Sequence, residues 1–187
     1  MQKIEVLVAP MPLPSDGSVP IAWPPGIKPH ADLLTFLGYW QHRVKPDGRI
    51  PSRADIAPDE LRSLLPGIIM FDVLHQDDPE FPYRFRYRLV GTEHRRYLNA
   101  DLTGRTFDEA LSPERLRMAN ESCFWIVRER RPNYLRMSTR GVGTYQRIAF
   151  YERILAPLAN DGVTVNMLIG MWHFLPLDAL RRVETQK

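Results

Sequence analysis

Between Tyr83 and Gly91 the chain reads YRFRYRLVG, with Tyr83, Phe85, Tyr87 and Leu89 on one parity and Arg84, Arg86 and Arg88 on the other. Side chains on a strand point alternately to its two faces, so this pattern demands a strand with one dry and one wet side. On a helix the same residues would spread around the whole circumference. Three basic side chains in a row could track phosphates. Sheet platforms for nucleic acid, however, stack bases on aromatics of the same face, and here the aromatics lie on the opposite one. Arg84, Arg86 and Arg88 are therefore expected to be solvated, or to dock against acids of a helix or of a partner, with Arg153 extending the row. A net charge of only +3 is far from a dense basic stripe, so no nucleic-acid partner is expected.

A strand of this kind needs neighbours. IIMFDVL (68–74), bounded by Pro66–Gly67 and the loop HQDDPEFP, is expected to form a hairpin with it. Three further strands are expected at Tyr134 to Thr139, Arg147 to Leu155 and Val165 to Phe174, with turns at GVG (141–143) and NDG (160–162). The last is apolar on both parities, which places it mid-sheet with both faces covered. Leu33, Leu37 and Trp40 recur at helical spacing in a segment stopped by Pro46 and Asp47–Gly48. Pro58 opens a short helix, and Ser112–Pro113–Glu114 opens a long one carrying Leu116, Ala119, Cys123 and Val127. Gly104 and Asn99 are the expected left-handed positions. Two strands, a helical stretch and three strands predict an α+β domain, with helices packed against a single antiparallel sheet.

Seven prolines between Pro10 and Pro29 leave no periodicity, so residues 1–29 read as a flexible arm. Residues 30–176 read as one domain and 177–187 as a short tail. A single cysteine, Cys123, excludes an internal disulfide and any multi-cysteine metal site, and suits a reducing compartment. No apolar run has the length of a membrane span, and Glu5 interrupts the short apolar N-terminus, so a cytoplasmic location without a membrane partner is expected.

Tyr39–Trp40, Pro51, Arg53, Asp55, Pro58, Leu65–Pro66 and Asp72, followed by YRLVGT (87–92) and DLTGR (101–105), carry a family resemblance. Over about residues 33–173 the chain resembles the small PAS-type domains common in alphaproteobacteria. Asn99–Ala100 departs from the glycine expected before DLTGR, although asparagine tolerates left-handed backbone. The resemblance implies a PAS-like five-stranded antiparallel sheet with helices over one face, plus an N-terminal helical extension, enclosing a core that can hold a small molecule. It also implies a signalling role exercised through a dimer or a protein partner. With about a dozen residues after the last strand, the signal is expected to act in trans.

No Walker loop, dinucleotide fingerprint, zinc-protease helix or nucleophile elbow is present. His94, among Glu93, Arg95 and Arg96, reads as a solvated side chain rather than a haem ligand, and no metal site is expected. Cys123 lies on an apolar helical stripe and reads as packing. Asp77–Asp78 read as solvated loop acids. Arg53 and Asp55, two apart in an extended stretch, read as an ion pair pinning the linker. Met70, Phe85, Tyr87, Phe124, Met137, Met167 and Met171 are the candidate lining of an adaptable cavity; the cofactor or ligand is unknown. Leu33, Leu37, Trp40, Arg84, Arg86 and Arg88 are the candidate interaction surface. The expected function is that of a non-enzymatic sensory or regulatory domain, homodimeric, with a small ligand or a protein partner. The alternative is a small conical α+β enzyme acting on a hydrophobic molecule through Asp72 and His173.

Overall fold

The structure is a computed structural model that describes residues 7–10, 28–98, 100–139 and 149–175. Its strands are β1 (Leu7–Pro10), β2 (Ile68–His75), β3 (Tyr83–Val90), β4 (Asn133–Thr139), β5 (Ala149–Leu158) and β6 (Met167–Leu175). Its helices are α1 (Ala31–Gln41), α2 (Thr92–Leu98), α3 (Phe107–Ala110) and α4 (Pro113–Glu129), with single 3-10 turns at Arg53–Asp55, Pro58–Leu61 and Leu65–Gly67. All neighbours in the sheet are antiparallel, in the order β1-β4-β5-β6-β2-β3. The five expected strands are therefore joined by a sixth. Leu7–Pro10, within the stretch read as an arm, pairs with β4, Val8 opposite Leu135.

β6 lies mid-sheet between β5 and β2, as its apolar sequence requires. Opposed residues in antiparallel strands share a face. Phe71 opposes Tyr87 and Leu168, and Arg153 opposes Leu135 and Trp172, all on one side. Asp72 opposes Arg86 and Met167, and Glu152 opposes His173, on the other. α2, α3 and α4 cover the first face. α1, the expected N-terminal helical extension, covers the second.

α1 docks through Leu33, Phe36, Leu37 and Trp40, all completely buried, and the Trp40 indole N–H donates to the Pro157 carbonyl at 2.9 Å. Leu33, Leu37 and Trp40, expected on a contact surface, are thus already covered by the chain's own sheet. An apolar helical stripe records that a face is buried but not what buries it. α4 starts as expected, with Ser112 at its N-cap and Pro113 in the first turn. It ends on Arg130, whose left-handed φ of 56° carries the chain into β4. Gly48 (φ 79°), Gly104 (φ 87°) and Gly162 (φ 78°) make left-handed turns, whereas Asn99 and residues 141–143 lie outside the described residues. Gly91 joins β3 to α2, and a Cβ there would stand 2.3 Å from the Pro66 carbonyl oxygen, so a side chain would break this junction.

Candidate functional site

The face under α2, α3 and α4 does not close completely. A cavity of about 160 Å³ lies between the sheet and these helices. Its floor is Ile69 and Phe71 of β2, Tyr87 of β3, Leu135 of β4, Tyr151, Arg153 and Leu155 of β5, and Trp172 and Phe174 of β6. Its roof is His94, Tyr97 and Leu98 of α2, Phe107 of α3, and Arg115, Met118, Ala119 and Cys123 of α4, with Leu111 between the last two helices. The more exposed lining residues, including Tyr97, Leu111, Arg115 and Met118, lie where α2 faces the start of α4 and mark the mouth. Gly170 helps to shape the floor, because a Cβ there would stand 2.5 Å from the Trp172 ring.

Rings dominate the walls. Phe71 meets Phe107 edge to face at 4.9 Å and Trp172 at 6.1 Å, and His94 meets Trp172 and Phe174 at 5.3 and 5.4 Å. His94 is only 3 % exposed and donates from Nε2 to the Gly67 carbonyl at 3.0 Å. Burial holds its pKa down to about 4, so the ring is neutral near pH 7. The expectation of a solvated His94 is therefore corrected. Its charged sequence neighbours point outward, while His94, Tyr97 and Leu98 form an inward face at helical spacing, a signal that was present in the sequence. Burial pushes the Cys123 thiol up to about 12 and raises the Tyr87 phenol as well, which keeps both neutral.

One charge is sealed in this wall. Arg153 is 4 % exposed; Nη1 donates to Asn133 Oδ1 at 3.0 Å and Nη2 to Ser122 Oγ at 2.6 Å. Its guanidinium stands 5.2 Å from the Trp172 ring. The expectation that Arg153 extends the outer arginine row is corrected: its parity on β5 places it on the cavity face. Of the expected lining residues, Tyr87 lines the cavity. Phe85 and Phe124 pack together beside it, 5.7 Å apart. Met70, Met167 and Met171 belong to the α1 face, one residue out of step with Phe71, Leu168 and Trp172. The side chain of Met137 lies outside the described residues.

The outer arginine row is wet but tethered. Asp72 receives Arg86 at 2.8 Å and Arg88 at 3.0 Å, and Asp108 receives Arg84 at 2.6 Å, an ion pair that holds the Asp108 pKa down to about 2. Phe85 and Tyr87 are buried behind it. Arg53 and Asp55 do not pair with each other. Asp55 accepts from the Ser52 N–H and hydroxyl and from Lys45, while Arg53 donates to the Ile56 carbonyl. On the loop, Asp78 accepts the N–H groups of Glu80 and Phe81.

On the α1 face, His30, Asp32 and His173 bring ligating atoms within 4.8 Å of one another. The two imidazoles stack at 3.5 Å with their planes 7° apart, so their lone pairs run in parallel planes and one ring must turn before both can meet one ion. Burial and the neighbouring His30 lower the His173 pKa, which favours this neutral stack. Asp72, gripped by two arginines, and His173, stacked on His30, both lie on the face opposite the cavity.

The sequence matches the PAS_5 family, described as PAS domain, over residues 28–173. No functionally curated protein matches it. Solved structures similar to it include a light-oxygen-voltage domain studied with a flavin analogue (12 % identity, TM-score 0.44, covering 69 % of this chain and 94 % of that one). Another is the PAS domain of Bordetella pertussis BvgS (18 % identity, TM-score 0.44, covering 68 % and 93 %). A third is an RNA-binding light-oxygen-voltage receptor (14 % identity, TM-score 0.45), in which 98 % of this chain covers 44 % of that one. With the family match spanning most of its length and a helix-roofed antiparallel sheet beneath it, the chain belongs to the PAS domain family.

Proposed function

We propose that this chain is a sensory or regulatory PAS domain that binds a small molecule between sheet and helices and signals in trans to a protein partner. The observation that carries this reading is the ring-lined cavity of about 160 Å³. Close-packed interiors keep few voids larger than a water molecule, and apolar cavities of this size accept a benzene-sized guest. A ligand that fits one arrangement of α2 and α4 better than another shifts the population towards it. His94 ties that movement to the rest of the fold, because its bond to Gly67 links α2 to the turn that enters β2. We read the domain as a binding module rather than an enzyme. Asp72 and His173, the candidates for acid–base chemistry, face away from the cavity.

Native mass spectrometry of the purified chain, together with a thermal-shift screen of small molecules, tests the reading. A retained mass, or a compound that raises the melting temperature of the wild type but not of a cavity-filling Ala119→Phe variant, supports it; the absence of both removes it. We further propose a homodimer with Arg84, Arg86 and Arg88 available to a partner's acids. Light scattering that returns only the 21.7 kDa monomer at micromolar concentration contradicts the dimer.

A further inference from the structure

The cavity wall contains two arginines, Arg115 and Arg153, and no aspartate or glutamate. Arg153 is the informative one. A guanidinium carries five N–H donors and a permanent charge. Here two donors reach neutral oxygens, Asn133 Oδ1 and Ser122 Oγ, and no carboxylate among the described residues compensates the charge. Removing an ion from water carries a penalty that a counter-ion normally offsets. Neither neighbouring oxygen requires a charge, since an uncharged amide can donate to both. The ring of Trp172, which also lines the cavity, stands 5.2 Å from the guanidinium.

We infer that the ligand is a small carboxylate whose anionic head pairs with Arg153 and whose single aromatic ring lies among Phe71, Phe107 and Trp172. This rests on the cavity being the ligand site. The size of the void admits one ring rather than two, and the ring-rich wall offers edge-to-face partners to it. Asn133 and Ser122 each engage one terminal nitrogen of the guanidinium, which has further N–H donors to offer a carboxylate. Arg115, half-buried at the mouth, adds a second positive charge on the entry path. Burial lowers the Arg153 pKa, because desolvation penalises the charged form.

The test uses the full chain and three matched probes, 3-phenylpropionate, 3-phenylpropanamide and 3-phenylpropanol, titrated calorimetrically at pH 7. The carboxylate is expected to bind at least about tenfold more tightly than either neutral probe, and Arg153→Gln to abolish that preference. Arg153→Lys, which keeps the charge without the fork, is expected to retain part of it. Equal binding of acid and amide by the wild type overturns the inference, and needs no variant to fold; the cavity then remains a ligand site for neutral molecules. Failure of all three probes to bind also overturns it, while the broader screen decides separately whether the cavity holds any ligand.

Discussion

Glu152 and Arg153 are neighbours on β5, both buried, and they face opposite sides of the sheet. Glu152 lies in the layer under α1. It accepts the His30 backbone N–H at 2.8 Å and the Tyr134 hydroxyl at 2.6 Å, so the helix entry and β4 are both fastened to its carboxylate. Arg153 lies under α4 and holds two neutral oxygens beside a void. The α1 layer is completed by the chain itself, while the α4 layer has room and an uncompensated charge. A buried charge that fastens structure and one that awaits a counter-ion look alike in a sequence. Their partners separate them.

The sharpest way to break this comparison is to remove each charge. Glu152→Ala removes the acceptor of both bonds and is expected to cost roughly 3–5 kcal/mol in denaturant unfolding. Arg153→Met removes a buried charge that no carboxylate among the described residues offsets but takes the donor from Asn133 Oδ1, and is expected to cost only about 1–2 kcal/mol. Equal costs would mean that both residues are structural fasteners.

Next in size is the pH response of the cavity roof. His94 has its native pKa near 4 against an ordinary 6.5. As pH falls below 6.5 the unfolded chain takes up this proton first, so stability is complete above that value, declines down to about pH 4, and is level below it. The His94 contribution amounts to roughly 3 kcal/mol. Chemical unfolding at pH 7, 5.5 and 4.5 measures the slope, and a His94→Leu variant is expected to flatten it. An unchanged slope in the variant would assign the acid sensitivity elsewhere. Smallest is the effect on the wet face. Arg86→Ala or Arg88→Ala is expected to cost less than about 1 kcal/mol in the same assay, since each pair is partly exposed and Asp72 keeps its other arginine.

What the sequence made legible follows from periodicity. Strict alternation placed β3 and its dry side at Phe85 and Tyr87, though past the register shift at Met70/Phe71 Leu89 is exposed and Val90 buried. Ser112–Pro113 placed the start of α4, and an apolar run on both parities placed β6 mid-sheet. Pattern has less to say about which layer covers which face. The stripe Leu33, Leu37, Trp40 showed a buried helix but not that its cover is the chain's own sheet. Met70, Met167 and Met171 sit one residue away from the cavity face, and a one-residue slip exchanges the two faces. Arg153 was hidden for a related reason: AFYERILAPL carries a charge on each parity, so neither face is marked as wet. The pairing of Leu7–Pro10 with β4 joins distant segments within a proline-rich context, where local pattern carries no register.

The central claim is that one layer of this domain is filled and the other keeps room, and two alanines test it directly. Ala156, fully buried, faces α1, while Ala119 lines the cavity from α4. Adding bulk to a packed core typically costs about 1–3 kcal/mol. In urea unfolding Ala156→Leu is expected to show that loss, whereas Ala119→Leu is expected to stay within about 0.5 kcal/mol of the wild type or to gain stability. Equal losses at the two positions would mean that the α4 layer is as full as the α1 layer, contradicting the account.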